Sequence, residues 1–187
     1  RRAVGLRRRP DSARIGLGVH HGPRPTRRRT IVNAAVAALR QDLANDVEIL
    51  FHRLSQAQEF PAQHDDPSRL PYTALAMQHA YSALEAALER CIKRLDGELP
   101  IGKDSHRELL RRASAGIDGV RPALLSPASA SVARQFLSFR HFLRHDYGAE
   151  LDADQIAKLQ FIVREGSGTL RADFAAFDAW LVSVSVL

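Results

Sequence analysis

The sequence of 187 residues contains a single cysteine, Cys91. An intrachain disulfide is therefore excluded, and such sparse cysteine is typical of a protein in a reducing compartment. Cys91 lies in a stretch with helical periodicity, where a free cysteine usually acts as a small apolar residue. We therefore predict a cytoplasmic protein in which this thiol is part of the core.

Long apolar runs are also missing. A membrane-spanning helix needs about 20 consecutive apolar residues, and charged residues interrupt every candidate helix of this chain. Hydrophobic residues nevertheless make up 45% of the sequence, which is typical of globular proteins. The length is sufficient for one domain with a hydrophobic core. We expect one soluble domain with no membrane partner.

Lysine is scarce, and the basic charge is concentrated at one end of the chain. Residues 1–29 contain ten arginines and one acid, whereas residues 30–187 carry a net charge of −3. The excess of positive charge therefore gives no broad basic face for duplex DNA. We interpret residues 1–29 as a disordered Arg-rich extension, with an RNA-binding arm as the alternative. Whether this extension is native is left open.

Period-two alternation, the pattern of a half-buried strand, is absent over any useful length. Apolar residues instead recur at spacings of three and four, which predicts α-helices. The expected helices cover about residues 30–54, 71–95, 106–114, 129–147 and 152–184. Thr30 is a candidate N-cap, Ser105 and Glu108 form a candidate capping box, Gly148 is a candidate C-terminal stop, and Gly166-Ser167-Gly168 is a candidate kink. The predicted fold is an all-α bundle.

Leu75, Tyr81, Leu84, Leu88 and Ile92 are predicted to form the apolar face of the second helix. Near the C-terminus, the aromatic residues Phe174, Phe177 and Trp180 are expected to lie in the core or in an interface.

The segment Arg140–Tyr147, with the sequence RHFLRHDY, concentrates residues that suit RNA cleavage. Attack by the 2′-hydroxyl on the adjacent phosphate needs a proton acceptor, a proton donor and positive charge at phosphorus. Histidine exchanges protons near neutral pH, and arginine offers a planar fork of donors to phosphate oxygens. We therefore predict His145 as the acid/base residue and Arg140 as the phosphate ligand, with neither metal nor cofactor.

The spacing of these two residues has a structural consequence. Five residues rotate by about 140° on an ideal helix, so Arg140 and His145 do not share one face. Packing this helix against its symmetry mate would bring two arginines and two histidines into one cleft. Arg140, Arg144 and Tyr147 follow each other at i, i+4 and i+7, and can line one groove. These relations favour a homodimer with a composite site.

The motif Arg140-His141-x3-His145-x-Tyr147 resembles the signature of HEPN proteins and its R-x4-6-H-x-Y form in HepT-like ribonucleases. The similarity covers about residues 30–187 and is strongest over 71–151. Its further stretches are His79-Ala80-Tyr81-Ser82-Ala83-Leu84-Glu85, Arg90-Cys91-Ile92, Ser105-His106-Arg107-Glu108-Leu109-Leu110 and Tyr147-Gly148-Ala149-Glu150-Leu151. The Arg-rich extension has no counterpart in this resemblance.

The resemblance implies a bacterial five-helix, homodimeric, metal-independent endoribonuclease without a cofactor. It further implies a toxin that pairs with an MntA-like nucleotidyltransferase antitoxin. Arg140 and His145 would be catalytic, His141 and Arg144 would support phosphate binding, and Tyr147 would be the tyrosine that accepts AMP.

Several alternatives stay open. The chain can be a non-catalytic HEPN module that dimerises and binds a nucleotide or a protein partner. Tyr147 can also be an ordinary half-buried aromatic residue at a helix end. His106 is interpreted as a helix-start residue or a packing group.

A metal site is the third class of function. His141 and His145, at i and i+4, can place two imidazoles on one ion, with Asp146 or Asp152 nearby. This pattern has Phe142 where a zincin carries its glutamate, and no cysteine cluster accompanies it.

Overall fold

The structure, a computed structural model, describes residues 27–62, 66, 68–145 and 151–186. Side chains are described for these ranges except at 27–32, 144, 145 and 186. Five α-helices follow in chain order: α1 (Arg27–Ala57), α2 (Arg69–Leu95), α3 (Ser105–Ala113), α4 (Pro127–His145) and α5 (Ala153–Val186). Within the described ranges there is no strand, only an isolated bridge between Ile117 and Arg121. The prediction of an all-α bundle is confirmed.

Helix α2 is the centre of the bundle, because it contacts all four other helices, whereas α1 contacts only α2 and α5. Its buried stripe recurs at spacings of three and four through Ala74, Met77, Tyr81, Leu84 and Leu88. This stripe is the contribution of α2 to the hydrophobic core. Burial of that core is the main source of the bundle's stability.

The predicted apolar face of α2 is confirmed at four of its five positions. Tyr81, Leu84, Leu88 and Ile92 are each no more than 1% exposed. Leu75 is the exception, since half of its surface is exposed. The buried stripe runs through Ala74 instead, and a helix turns by about 100° per residue, so Leu75 lies off this stripe.

Cys91 is fully buried in α2, and its predicted role as a small apolar residue is confirmed. Burial, followed by the nearby charge of Asp46, raises the pKa of the Cys91 thiol to about 12. The thiol is therefore protonated at neutral pH.

The predicted aromatic core at the C-terminus is also present. Phe174 and Phe177 are buried, and the half-buried Trp180 packs against the core with its ring centroid 5.2 Å from that of Phe177.

All five predicted helix starts differ from the structure by one to three residues, and the differences at α1 and α4 have local causes. Helix α1 begins at Arg27 rather than Thr30, and arginine is a good helix former, so the helix does not require a cap at Thr30. Helix α4 begins at Pro127 rather than near Ser129. The reason is that the Ser126 hydroxyl accepts a hydrogen bond from the Ser129 backbone N–H at 3.3 Å and caps the helix two residues earlier.

The predicted capping box at the start of α3 is wrong. Ser105 lies inside the helix, and Asp104 occupies the N-cap position without a side-chain capping bond. The Glu108 carboxylate accepts hydrogen bonds from Arg111 and Arg112 instead. Charged donors attract this carboxylate more strongly than a backbone N–H does.

Helix α5 is continuous through Gly166-Ser167-Gly168, so the predicted kink is wrong. Gly166 lies where α5 crosses Val132 of α4, and a Cβ atom built at position 166 would overlap the Cγ2 atom of Val132. The absence of a side chain at Gly166 therefore allows α4 and α5 to approach each other closely. Gly168 has no atom within 4 Å of such a Cβ and has no equivalent role.

Arg121 fixes the connection between α3 and α4. Its guanidinium donates two hydrogen bonds to the Asp96 carboxylate, at 2.6 and 2.7 Å. It also donates to the backbone carbonyls of Arg112, Ala115 and Pro122. The last turn of α3 is thereby tied to the end of α2, because its carbonyl groups have no partner within the helix. Arg121 therefore links the end of α3 to the end of α2.

No helix in the described ranges is long and apolar enough to cross a membrane.

Candidate functional site

One face of α2 presents polar side chains towards α3 and α4. Tyr81, Glu85 and Glu89 follow each other at i, i+4 and i+8, and therefore lie along one stripe of the helix. Helix α3 contributes His106 from its first turn, and α4 contributes Arg140. We refer to these five residues as the Arg140 cluster.

His106 is hydrogen-bonded through both nitrogens of its ring. Its Nδ1 contacts Oε1 of Glu85, and its Nε2 lies 2.9 Å from Nη1 of Arg140. A guanidinium can only donate, so Nε2 must accept this bond. In the neutral ring the proton then lies on Nδ1 and is donated to Glu85. The geometry therefore selects the Nδ1–H tautomer of His106.

Arg140 is held in place by three different groups. Besides the bond to His106, its Nη2 lies 3.8 Å from Oε2 of Glu85, and its Cζ lies 5.6 Å from the centroid of the Tyr81 ring. The last contact has the geometry of a cation–π interaction. The side chains of Arg140, His106 and Glu85 are 15%, 28% and 12% exposed. The cluster is therefore partly buried but open to solvent at one edge.

Tyr81 and Glu89 complete the electrostatics of the cluster. The Tyr81 hydroxyl donates to Oε1 of Glu85 at 3.2 Å, and burial together with this carboxylate raises the pKa of Tyr81. Burial and the charge of Glu85 also raise the pKa of Glu89, against the opposite effects of His106 and Arg140. Tyr81 thus stays a neutral donor, and Glu85 is the acid that contacts both His106 and Arg140.

A cavity of about 540 Å³ lies between α3 and α4. Its lining consists of Arg107, Leu110, Arg111, Ser114, Arg134, Leu137, Ser138 and His141. The lining combines three arginines and a histidine with two leucines and two serines, and it contains no acidic residue. Such a surface suits an anionic ligand with an apolar part, such as a nucleotide. We refer to it as the α3–α4 pocket.

The residues of the predicted motif are distributed over two surfaces. Arg140 faces α2 and is part of the Arg140 cluster, whereas His141 is exposed and lines the α3–α4 pocket. Arg144 and His145 lie in the last turn of α4, but their side chains are outside the described residues. Tyr147 lies outside them altogether, as does Gly148, the predicted C-terminal stop.

Sequence reasoning missed the partners of Arg140. His106, predicted to be a helix-start residue or a packing group, lies at the start of α3 and also binds Arg140. Glu85, which contacts Arg140 as well, is not among the predicted site residues. Two features of the sequence indicate these partners. Glu85 and His106 lie in stretches that resemble HepT-like ribonucleases, and Tyr81 and Glu85 are four residues apart on one predicted helix.

In the part of the chain that the structure describes, no group of three or more His, Cys, Asp or Glu side chains is arranged to hold a metal ion. The metal hypothesis places His141 and His145 on one ion, with Asp146 or Asp152 nearby. The side chain of His145 and all of Asp146 lie outside the described residues, so that hypothesis is not tested.

The family model described as HepT-like protein matches residues 72–181. This range contains the Arg140 cluster and the α3–α4 pocket. Comparison with curated proteins gives no match. Comparison with solved structures gives none either.

Proposed function

The chain belongs to the HepT-like protein family, and on this basis we propose that it is a metal-independent endoribonuclease. The observation that carries the proposal is the Arg140 guanidinium, which is fixed beside an imidazole at the edge of a partly buried cluster. A fixed cation in a site of reduced polarity stabilises the charge that develops on a phosphate during cleavage.

The roles of the motif residues follow from this chemistry. Arg140 binds the phosphate that is attacked, and His145 transfers protons. His141 and Arg144 support the phosphates of the RNA strand. His141 lines the α3–α4 pocket, which also carries three arginines, and this arrangement supports its proposed role.

The site is proposed to be composite and to lie at the interface of a homodimer. Arg140 faces α2, and position 145 is rotated by about 140° from it on the same helix. The two residues of one chain therefore do not converge directly, whereas an isologous interface near the end of α4 would supply His145 of a second copy. Size-exclusion chromatography with light scattering tests the dimer.

We further propose that the protein is the toxin of a toxin–antitoxin pair with an MntA-like nucleotidyltransferase, and that Tyr147 accepts AMP from this partner. The family assignment and the motif spacing support both statements. Incubation with the nucleotidyltransferase and ATP should add AMP to the wild type and not to Tyr147→Phe, as measured by mass spectrometry of the intact protein. Absence of AMP from the wild type would contradict the regulatory role alone.

A second candidate function is a non-catalytic HEPN module that binds a nucleotide or a protein partner. The α3–α4 pocket favours it, because its volume of about 540 Å³ and its basic lining suit a nucleotide. Binding without cleavage is the outcome that this candidate predicts.

The decisive experiment is incubation of the purified protein with single-stranded RNA in the presence of EDTA. The ribonuclease proposal predicts cleavage by the wild type and a loss of at least about 100-fold in Arg140→Ala and His145→Ala. His52→Ala is the control, since His52 is an exposed histidine on α1. Cleavage that requires a divalent metal, or intact RNA after incubation with the wild type, would reject the proposal.

A further inference from the structure

The Arg140 cluster contains a histidine, His106, that the family motif does not include. We propose that His106, oriented by Glu85, is a catalytic residue of the same ribonuclease site and acts as the general base that takes the proton from the 2′-hydroxyl. This inference rests on the proposed function and names a residue for one of its proton transfers.

The first argument is the tautomer. Because Arg140 Nη1 donates to His106 Nε2 at 2.9 Å, this nitrogen carries a lone pair and the proton lies on Nδ1. Glu85 accepts that Nδ1–H. A carboxylate that holds an imidazole in one tautomer leaves the other ring nitrogen ready to accept a proton, and it stabilises the imidazolium that forms.

The second argument is location. The atom that would accept the proton lies within hydrogen-bond distance of the guanidinium that would bind the phosphate. The 2′-hydroxyl is attached to the sugar next to that phosphate, so a base near the phosphate ligand is where the reaction requires it. The His106 side chain is 28% exposed, which leaves an edge of the ring open to a substrate.

The third argument is the binding capacity of Arg140. Among the described residues, the Arg140 guanidinium donates a single hydrogen bond, and His106 Nε2 accepts it. Oε2 of Glu85 lies 3.8 Å from Nη2 of Arg140. A phosphate oxygen is a charged acceptor and binds guanidinium more strongly than a neutral imidazole does. RNA can therefore replace His106 as the acceptor on Arg140, which releases Nε2 for proton transfer.

Cleavage of RNA by its own 2′-hydroxyl needs no cofactor. His106 Nε2 takes the proton of the 2′-hydroxyl, and the 2′-oxygen forms a bond to phosphorus. The bond between phosphorus and the 5′-oxygen breaks, and the leaving oxygen takes a proton from the imidazolium that the composite site proposes for His145 of the partner subunit. The products carry a 2′,3′-cyclic phosphate and a 5′-hydroxyl group. Arg140 binds the phosphate oxygens throughout.

The pH dependence of cleavage distinguishes a base from a structural residue. The groups that face His106 are Tyr81, Glu85 and Glu89 from α2 and Arg140 from α4. A general base must be unprotonated, so the rate of the wild type should fall towards acid pH with an inflection. In His106→Gln the rate should fall by about 100-fold, and this inflection should disappear.

Glu85→Gln separates orientation from charge. The amide oxygen of the variant can still accept the Nδ1–H, but the negative charge is lost. The carboxylate charge stabilises the imidazolium that forms when His106 takes the proton, so the rate of this variant should fall by about 10-fold. The matched controls are His52→Gln and Glu48→Gln, which change exposed residues of α1.

A second measurement uses the wild type and needs no variant. NMR of the imidazole nitrogens should show a change at His106 Nε2 when the protein binds an RNA analogue whose 2′-hydroxyls are replaced by hydrogen. An unchanged Nε2 signal at saturation with the analogue would overturn the proposed release from Arg140.

The outcomes separate this inference from the ribonuclease proposal. If Arg140→Ala is inactive while His106→Gln cleaves like the wild type, or keeps the inflection at a reduced rate, only the role of His106 is wrong. If the wild type itself does not cleave RNA, both proposals are wrong. Thermal denaturation of His106→Gln and of a second variant, His106→Asn, establishes that the measured protein is folded.

Discussion

Arg121 and Arg140 differ in how deeply their side chains are buried and in how many hydrogen bonds they donate. The Arg121 side chain is 1% exposed, and all of its nitrogen atoms donate to Asp96 or to backbone carbonyls. The Arg140 side chain is 15% exposed and, within the described residues, donates one hydrogen bond, to His106. The first arginine has no capacity for a ligand, whereas the second retains donors.

The difference shows how burial and hydrogen-bond saturation together distinguish a structural arginine from a candidate ligand-binding one. Arg121 fixes the loop that positions α3, so removal of its charge leaves the buried Asp96 without a partner. Arg140 sits at the edge of its cluster, where a phosphate can approach. Stability should therefore depend mainly on Arg121, and activity mainly on Arg140.

The largest change in stability is expected for Arg121→Ala. Loss of one partner of a buried ion pair usually costs about 3–5 kcal/mol, because the other charge stays buried. Urea denaturation followed by circular dichroism measures this loss, with Arg94→Ala on the exposed side of α2 as the control. A loss below about 1 kcal/mol would show that the Arg121–Asp96 pair does not hold α3.

A smaller loss of stability, of about 1–2 kcal/mol, is expected for Arg140→Ala. Glu85 keeps hydrogen bonds from His106 and Tyr81 in this variant, so it does not become an isolated buried charge. The same denaturation experiment, combined with RNA cleavage per folded molecule, tests the contrast. If Arg140→Ala destabilises the fold as much as Arg121→Ala does, then Arg140 is structural and the comparison fails.

Tyr81→Phe should have a smaller effect, of about 1 kcal/mol, because it removes one hydrogen bond to Glu85 from a buried position. Since the pKa of Tyr81 is raised, its hydroxyl stays protonated and donates to Glu85 at neutral pH. Tyr72→Phe is the matched control, because the Tyr72 hydroxyl donates to Glu59 on the surface. Equal melting temperatures of the two variants would show that Tyr81 does not support the cluster.

The smallest change in stability is expected for Glu108→Gln, which removes the carboxylate charge that pairs with Arg111 and Arg112. Hydrogen bonds from Arg111 and Arg112 lower the pKa of Glu108 to about 2. The carboxylate therefore stabilises the fold above its unfolded pKa of about 4.3, and this contribution is lost as pH falls towards 2. The melting temperatures of variant and wild type should differ slightly at pH 7 and converge in acid; a constant difference would contradict the assignment.

The sequence was sufficient to predict the helical bundle and to select Arg140 as a candidate phosphate ligand, because both depend on local information. Helical periodicity and the spacing of the motif are properties of short segments. The Arg140 cluster is different, since His106 is 21 residues from Glu85 and 34 residues from Arg140. Its geometry depends on the packing of three helices, which no local pattern encodes. Gly166 is a similar case, because its role depends on Val132 of another helix.

The single cysteine has a practical consequence for all of these measurements. Cys91 is fully buried at the centre of the bundle, and only the thiolate reacts readily with alkylating reagents. Modification therefore requires that α2 separate from its neighbours and expose the thiol. The rate of alkylation reports how often the native bundle opens, at one position and without an introduced label. The chain thus contains its own kinetic probe of unfolding, close to the ion pair of Arg121 that is expected to control it.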